Sequence, residues 1–304
     1  MHDPIDPSQR WLVTGSTGQL GGHLVRQLLN TPVAPRIFAW TGRKPAARID
    51  GVECSHVDLA DSAAIGAAID AARPTHILHV AAMTAVGDAF ANPDLARRIN
   101  VEATARIMEA ARAGGARVAF SSTDMVFSGD AAPYREADAT RPLSVYGRTK
   151  ALAEEAVVAG GGLVLRIPLL YGVAADGRPT TFSNQLAALR RGGELKLFTD
   201  EYRTPLWVED AARIMIALAS STMTGVRHVA GPQRLSRAEL VAAAAQAIGA
   251  THATLLPISR LDIPAAEPRP ADLSLDDALL RRERPDLVCT TFSLAARSFA
   301  ANAD

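Results

Sequence analysis

The sequence predicts an α/β fold, with a doubly wound parallel sheet followed by a smaller, mixed α/β lobe. Three observations support this prediction. Short apolar runs alternate with helical patterns as far as about residue 168, a glycine-rich turn joins the first run to the first helix, and turn residues and prolines become denser afterwards. Such alternation favours a parallel sheet with helices on both faces, because right-handed crossovers return each strand to the same sheet.

The first half of the chain contains six predicted strands and four predicted helices. The strands are predicted at residues 11–13, 36–40, 52–57, 75–81, 117–122 and 163–167. The helices are predicted at residues 19–30, 62–72, 94–113 and 144–159. Pro74 closes the second helix, and Gly114 with Gly115 gives the third a typical C-terminal signal.

The second half is predicted to form the smaller lobe. Turn residues cluster at 172–181, helical patterns follow at 182–191, 208–220 and 236–248, and prolines are frequent between 257 and 270. We therefore divide the chain into a nucleotide-binding domain, 1–168, and a substrate lobe, 169–304, with some exchange of strands or helices between them. The lobe is expected to close over the carboxyl edge of the sheet, where open α/β sheets bind ligands.

Composition and charge argue against several classes of protein. Lys and Arg number 32, as do Asp and Glu, so a nucleic-acid binder that relies on bulk charge is not expected. No signal peptide or membrane helix is expected either, because no apolar run reaches the roughly 18 residues required. The chain has two cysteines, Cys54 and Cys289, which lie far apart in sequence. So few cysteines fit a cytoplasmic protein, although a disulfide between these two is not excluded. No metal site is expected, and His76 and His79 are expected to be packed or hydrogen-bonded.

A glycine-rich turn joins the first strand to the first helix. Residues 12–22 read L-V-T-G-S-T-G-Q-L-G-G, so three glycines are spaced as G-x-x-G-x-x-G. We expect Gly15 to allow the tight turn, Gly18 to let the backbone approach a pyrophosphate, and Gly21 to bring helix and strand together, as in a Rossmann fold. The helix N-terminus would then bind the phosphates. The predicted contacts are Gly15, Ser16, Thr17, Gly18, Gln19, Leu20 and Gly21.

The end of the second strand favours NADP(H) over NAD. An NAD site usually has a carboxylate there, which binds the ribose 2′-hydroxyl. This chain has Arg43 and Lys44 instead, and Arg43 suits bidentate pairing with a 2′-phosphate. The alternative is that both cations belong to a solvated loop. Asp58, after the third strand, either accepts a hydrogen bond from the adenine amino group or caps the helix that follows.

Tyr146 and Lys150 form a Y-x-x-x-K pattern at the start of a predicted helix. This spacing places both side chains on one helical face. We expect Thr123, at the end of the fifth strand, to polarise a substrate carbonyl and Tyr146 to donate the proton. Lys150 is expected to lower the pKa of Tyr146 and to hold the nicotinamide ribose. The alternative is an ordinary helix with a Tyr–Lys contact.

These motifs resemble those of extended short-chain dehydrogenases/reductases, and especially of dTDP-4-dehydrorhamnose reductases, over about residues 10–300. The similar segments are S-S-T-D-M-V-F-S-G at 121–129, P-L-S-V-Y-G-R-T-K at 142–150 and A-A-M-T-A-V at 81–86. The resemblance implies NADPH-dependent reduction of a nucleotide-linked 4-keto-6-deoxy sugar at C4. It also implies further cofactor contacts at Leu59, Ala81 and Ala82, and substrate contacts at Thr84, Val86 and Thr123.

One segment departs from the reductase pattern. The reductases usually have R-T-S-W after the sixth strand, whereas residues 166–172 read R-I-P-L-L-Y-G, with Leu169 near the tryptophan position. This version is similar to the regulatory β subunit of methionine adenosyltransferase. A non-catalytic NADP-binding subunit is therefore the second hypothesis, and an enzyme that reduces, epimerises or dehydrates another ketone is the third.

Two arginines of the second lobe are candidate phosphate ligands. Arg203 lies in R-T-P-L-W-V-E-D, which resembles an element of extended reductases whose arginine meets a substrate phosphate, and Arg269 lies in R-P-A-D-L-S-L-D. A guanidinium matches two phosphate oxygens, while the alternative for each arginine is a structural ion pair. The resemblance also leaves open a homodimer, formed through the helices at 94–113 and 144–159, or a monomer.

Overall fold

The structure is a computed structural model that describes residues 5–42 and 49–300. Its strands are β1 (Arg10–Thr14), β2 (Arg36–Thr41), β3 (Val52–His56), β4 (His76–His79), β5 (Arg117–Thr123), β6 (Leu163–Ile167), β7 (Leu170–Tyr171), β8 (Glu194–Phe198), β9 (Tyr202–Arg203), β10 (Leu206–Trp207), β11 (Gly225–His228), β12 (Leu235–Ser236) and β13 (Thr254–Ile258). Its helices are α1 (Gln19–Leu29), α2 (Ser62–Ala72), α3 (Val86–Ala91), α4 (Pro93–Arg97), α5 (Ala103–Gly114), α6 (Val145–Ala159), α7 (Thr181–Arg190), α8 (Val208–Ala219), α9 (Arg237–Ala247), α10 (Ala278–Glu283) and α11 (Phe292–Ala300).

A seven-stranded sheet with the order β11-β6-β5-β4-β1-β2-β3 forms the centre of the fold. Every pairing within it is parallel, and Trp11 of β1 lies opposite Ile37 on one side and His76 on the other. The predicted doubly wound parallel sheet is therefore confirmed. Its chain order reverses at β1 and β4, which is where such sheets bind ligands.

The seventh strand, β11, was not predicted, because it comes from the second half of the chain. It pairs with β6, with Val226 opposite Val164, and so extends the sheet at its edge. Helix α8 also returns to this sheet, where Ile214 and Met215 join the same apolar cluster as Trp11. A strand of four residues at the edge of a sheet, far in sequence from its partner β6, has no local signal that assigns it to the sheet.

The helix predicted at 94–113 is interrupted. Helix α4 forms its beginning and α5 the remainder, and a π-helical turn over Arg98–Glu102 joins the two. Asn100 in that turn is buried, and its side-chain oxygen accepts a hydrogen bond from the Met83 N–H at 2.8 Å. The π-helical turn thus occurs where the Asn100 side chain hydrogen-bonds the loop after β4. Hydrophobic periodicity does not predict such a contact.

The two histidines of β4 are packed and hydrogen-bonded, as predicted. His76 stacks on Trp11 with ring centroids 4.5 Å apart. His79 lies between the hydroxyls of Thr14 and Thr104, at 2.8 and 2.9 Å. Burial lowers the pKa of His76 to about 4 and that of His79 to about 3, so both rings are neutral near pH 7.

The smaller lobe combines the parallel pair β8–β13 with α7, α9 and α11. Both α7 and α9 begin with a capping box, in which Thr180 pairs with Ser183 and Ser236 pairs with Glu239. These helices lie within one residue of their predicted bounds, but the short strands of the lobe and its last two helices were not predicted. In the described ranges, the helices are too short or too polar to cross a membrane.

Candidate active site

The glycine turn folds tightly between β1 and α1. Gly15 has a φ of +65°, in the region that favours glycine. A Cβ atom at Gly21 would lie 2.1 Å from the carbonyl oxygen of Gly15, and one at Gly18 would lie 3.2 Å from the same atom. Gly21 therefore lets α1 pack closely against the turn that directly follows β1. The approach of a pyrophosphate to Gly18 stays a prediction.

A cavity of about 640 Å³ begins at this turn and extends along the carboxyl edge of the sheet to Tyr146. The predicted cofactor contacts in its wall are Gly15, Thr17, Gly18, Gln19, Leu20, Gly21, Asp58, Leu59, Ala81, Ala82 and Tyr146. Two predicted contacts, Ser16 and Lys150, are buried instead, and the Ser16 hydroxyl donates a hydrogen bond to the Trp40 carbonyl at 3.0 Å. The wall also includes strand-end residues that we did not predict, among them His56, Val80, Ser121 and Ile167.

The ends of β2 and β3 form the far end of this cavity. Thr41, Gly42 and Asp58 line it, whereas Arg43 and Lys44 lie outside the described residues, so their contact with a 2′-phosphate stays a prediction. The cap of α2 is Asp61, whose side chain accepts the N–H groups of residues 63 and 64. Asp58 instead accepts the N–H of residue 60 at 2.9 Å, so the capping alternative is wrong for Asp58.

Thr123 and Tyr146 meet at the other end. Thr123 ends β5, Tyr146 is the second residue of α6, and the Thr123 hydroxyl, which donates to Asp124 Oδ1 at 3.1 Å, lies close enough to the Tyr146 phenol to act on its pKa. Gly147 allows this approach, because a Cβ atom there would lie 2.2 Å from the carbonyl oxygen of Met125. The role of Gly147 was missed, although its place inside the Y-x-x-x-K pattern was visible in the sequence.

Burial dominates the pKa of both members of the Y-x-x-x-K pair. It raises the pKa of Tyr146 well above its usual value; the Thr123 hydroxyl opposes this rise and the Asp124 charge adds to it. Burial also lowers the pKa of Lys150 to about 7. The Lys150 Nζ donates to the Ser121 carbonyl at 2.6 Å and lies 3.8 Å from the centroid of the Phe120 ring. Lys150 is not among the groups that shift the pKa of Tyr146 here, so the lowering of that pKa by Lys150 stays a prediction.

A second cavity, of about 870 Å³, adjoins the first. Gln19, Thr84, Tyr146 and Leu170 line both cavities, so Tyr146 lies where they meet. Of the predicted substrate contacts, Thr84, Val86, Arg203 and Arg269 line the second cavity and Thr123 lines the first. Its other wall residues include Leu169 and Phe182, together with residues that sequence patterns did not indicate, namely Phe90, Met125, Lys196, Phe198, Glu201, Arg237 and Glu267.

Arg203 is held by two carboxylates. Its Nε lies 3.2 Å from Asp124 Oδ2 and its Nη2 lies 3.3 Å from Glu201 Oε1, and all three side chains are buried. Arg237 donates a further hydrogen bond to Glu201 at 3.1 Å. Burial raises the pKa of Asp124 even though the Arg203 charge acts to lower it. The alternative of a structural ion pair therefore describes Arg203, and its contact with a phosphate stays a prediction.

Arg269 is placed differently. Its Nη1 donates to the carbonyl oxygens of Arg260 and Ile263, at 3.3 and 2.5 Å, and its guanidinium lies 5.2 Å from the centroid of the Phe198 ring. Within the described part of the chain, no carboxylate forms an ion pair with it, and Lys196, another wall residue, is exposed. Arg269 therefore keeps charge that an anionic ligand could neutralise.

A buried polar network connects α6, which carries Tyr146 and Lys150, to the sheet. Arg166 of β6 pairs with Glu154 of α6, with Nη2 2.7 Å from Oε2, and Ser122 donates to the same carboxylate. Asn100 binds the Met83 backbone and the Thr149 hydroxyl of α6. These contacts fix α6 to the sheet and to the loop after β4. Among the residues that the structure describes, no three His, Cys, Asp or Glu side chains cluster as metal ligands.

Comparisons with known proteins bear on this geometry. The model of the RmlD substrate binding domain family matches residues 9–301. The chain is 31% identical to dTDP-4-dehydrorhamnose reductase of Streptomyces griseus over 274 residues, which cover 86% of this chain and 84% of that protein. It is 30% identical to methionine adenosyltransferase 2 subunit beta of Xenopus laevis over 290 residues, covering 92% and 84%.

A solved structure shares the fold. The crystal structure of dTDP-4-dehydrorhamnose reductase from Bacillus anthracis in complex with NADP superposes with a TM-score of 0.84, at 24% identity. The superposition covers 97% of this chain and 99% of that one. The sheet, the glycine turn and the smaller lobe therefore belong to an architecture that extends over the whole length of both chains.

Proposed function

The chain belongs to the RmlD substrate binding domain family, and we propose that it is an NADPH-dependent reductase of a nucleotide-linked 4-keto-6-deoxy sugar. The position of Tyr146 carries this proposal, because its phenol lies close to Thr123 where the two cavities meet. A dinucleotide in the first cavity and a sugar nucleotide in the second would meet there. The 31% identity to dTDP-4-dehydrorhamnose reductase supports this choice of substrate.

The first cavity fits a dinucleotide. The turn is so tight that side chains at Gly15 and Gly21 would fill it, and α1 begins directly at its end. The first N–H groups of that helix lack intrahelical partners and suit a pyrophosphate. Arg43 and Lys44 would pair with the 2′-phosphate and so select NADP(H). When bound, NADPH supplies the hydride that reduces the carbonyl carbon.

This chain supplies the proton for the carbonyl oxygen. The Tyr146 phenol is protonated near neutral pH, as a proton donor requires, although burial raises its pKa and makes it a weaker acid than a free phenol. The Thr123 hydroxyl would orient both the phenol and the carbonyl oxygen. Lys150, buried beneath them with its pKa lowered to about 7, would hold the ribose and stabilise the phenolate left after proton transfer.

The second half of the chain would bind the substrate. We take residues 169–304 as this lobe and 1–168 as the cofactor domain. From the second half, β11 pairs with the sheet of the first and α8 packs against it. The apolar wall formed by Val86, Leu169 and Phe182 suits a deoxygenated C6, and Arg269 suits a diphosphate. We further propose a cytoplasmic enzyme, either monomeric or paired through α5 and α6, that binds neither nucleic acid nor a membrane.

The substitution Tyr146→Phe tests this function. Without the phenolic proton donor, turnover of a freshly generated dTDP-4-keto-6-deoxy sugar should fall by about 100-fold or more. The affinity for NADPH should stay within a few-fold, because the remaining cavity wall is unchanged. The loss of NADPH absorbance measures turnover, and a fluorescence titration of NADPH measures binding.

The control for this test is Tyr171→Phe. Tyr171 is also buried but lines neither cavity, so its variant should turn over like the parent chain. Normal reduction by Tyr146→Phe would show that Tyr146 is not the proton donor. If neither the parent nor the control reduces the keto sugar, the proposed substrate is wrong.

A non-catalytic NADP-binding subunit is the second candidate. It is supported by the 30% identity to methionine adenosyltransferase 2 subunit beta, nearly equal to that of the reductase. Tight NADPH binding without turnover of any nucleotide-linked keto sugar would favour it. Copurification with a methionine adenosyltransferase catalytic subunit would then be the decisive measurement.

A further inference from the structure

Glu267 joins the wall of the second cavity to the helix that carries Tyr146. It lies between β13 and α10, in the stretch 265–270, every residue of which lines that cavity. Only 8% of the Glu267 surface is exposed. Its Oε1 accepts a hydrogen bond from the backbone N–H of Val145 at 2.7 Å, across 122 residues of sequence. A cavity-wall residue is thus bonded directly to the start of α6.

The N–H of Val145 is one that α6 cannot satisfy by itself. The first N–H groups of a helix have no intrahelical acceptor, and a negative charge close to them is favourable. Within the first turn, the Ser144 side chain accepts the N–H of Gly147, at 3.0 Å, and leaves that of Val145 free. Glu267 supplies the acceptor for Val145, the residue immediately before Tyr146. The position of the Tyr146 backbone therefore depends on a side chain from the substrate lobe.

The other contacts of Glu267 contribute little to holding it. Arg148 donates only a long hydrogen bond, of 3.4 Å, to the same Oε1, from a side chain that is 52% exposed. Glu267 Oε2 is buried without a hydrogen-bond partner among the described residues. The contact with the Val145 N–H is therefore the one well-formed bond of a carboxylate that is costly to bury.

We propose that Glu267 is a positioning residue, which couples the wall of the substrate cavity to Tyr146. A sugar nucleotide in the second cavity would press on the stretch 265–270. Glu267 would transmit that constraint to the first turn of α6 and so fix the phenol for proton transfer. This inference rests on the proposed function for its substrate, while the Val145 contact itself is independent of turnover.

The test compares Glu267→Ala, Glu267→Gln and, as the control, Arg148→Ala. Glu267→Ala should speed hydrogen exchange of the Val145 amide about 10-fold or more, because that N–H loses its acceptor. The same variant should lower kcat about 10-fold, since a small displacement of the reacting groups is costly, while KM and NADPH affinity stay within about 3-fold. Mass spectrometry of a peptide spanning residues 143–150 gives the exchange rate.

The conservative variant separates positioning from other roles. Gln keeps an oxygen acceptor for Val145, so Glu267→Gln should restore slow exchange and most of kcat, and Arg148→Ala should resemble the parent chain. Unchanged Val145 exchange in Glu267→Ala would overturn the proposal, as would a raised KM with an unaltered kcat. If Glu267→Ala does not fold, Glu267→Asp replaces it, because its carboxylate is one carbon short of Val145.

Failure of this proposal is distinguishable from failure of the proposed function. Hydrogen exchange is measured on the protein with dTDP alone, so it requires no reduction of a keto sugar. Fast Val145 exchange in Glu267→Ala, reversed in Glu267→Gln, supports the coupling even if the parent chain reduces no keto sugar. Parent-like exchange in Glu267→Ala overturns the coupling even if the parent chain is an active reductase.

Discussion

The two cavities that meet at Tyr146 are built in different ways. Backbone and small residues dominate the first, at the turn between β1 and α1 and at the ends of the strands. Charged and aromatic side chains from distant segments form much of the second. Some of those charges are already paired, as Arg203 is with Asp124 and Glu201. The shape of a cavity lined by a turn follows from the local sequence. The charge of a cavity lined by ionisable side chains depends on which of them the fold brings together in ion pairs.

The largest expected effect lies in the second cavity, at Arg203. Arg203→Leu leaves Asp124 and Glu201 without their shared buried cation. Breaking a buried pair in this way should lower the free energy of unfolding by about 3–5 kcal/mol, as measured by urea denaturation. Arg269→Ala is the matched variant, and it should leave unfolding nearly unchanged while raising KM for a nucleotide-linked sugar, because no buried carboxylate depends on Arg269.

The opposite pattern would erase the distinction between these two arginines. Parent-like unfolding of Arg203→Leu, combined with a raised KM, would make Arg203 a ligand of the substrate that the fold does not require. A marked loss of stability in Arg269→Ala would in turn make Arg269 a structural residue.

A smaller effect is expected in the first cavity, at Gly21. In Gly21→Ala the new Cβ would lie 2.1 Å from the carbonyl oxygen of Gly15, so the turn or α1 must move. Overpacking of this kind should cost about 1–3 kcal/mol of unfolding free energy. It should also weaken NADPH binding, because the start of α1 shifts relative to the turn. Denaturation and an NADPH titration measure the two effects.

Gly22→Ala is the control for that substitution. The nearest atom to its Cβ would be the Ala175 Cβ at 3.4 Å, an ordinary contact. Alanine is favoured over glycine within a helix by up to about 1 kcal/mol, so this variant should be neutral or slightly more stable. Equal losses in both variants would show that the close approach of Gly21 to Gly15 is not the cause of the loss.

A pH-dependent effect is expected at Lys150, which is buried and lines neither cavity. Its pKa is lowered to about 7 in the folded chain, while the unfolded chain keeps the ordinary value of 10.5. Between these values the unfolded state binds more protons, so the stability of the parent should rise with pH relative to Lys150→Met, by up to about 1.4 kcal/mol per pH unit. Urea denaturation of both chains from pH 7 to about 10 measures this difference. A constant difference across that range would mean that Lys150 stays fully charged when folded.

Much of the fold could be predicted from the sequence, because the signals of its first half are local. Strand runs such as that at β1 are apolar, and their helices carry caps and glycine ends. The strand β11 and the π-helical turn at Asn100 were missed. Both depend on partners far along the chain, since β11 requires β6 and Asn100 requires Met83.

The sequence by itself determined the glycine turn, the parallel sheet and the shared helical face of Tyr146 and Lys150, because each rests on residues within one or two turns of the chain. Only the tertiary structure decided which charges are free. Arg203 and Arg269 are the same residue type, yet buried carboxylates bind Arg203 and backbone carbonyls bind Arg269. Burial decided the pKa values of Tyr146 and Lys150, and a contact across 122 residues decided that Glu267 holds Val145. Such pairings have no periodicity, because the energy of a buried charge depends on its neighbours in space and not on those in sequence.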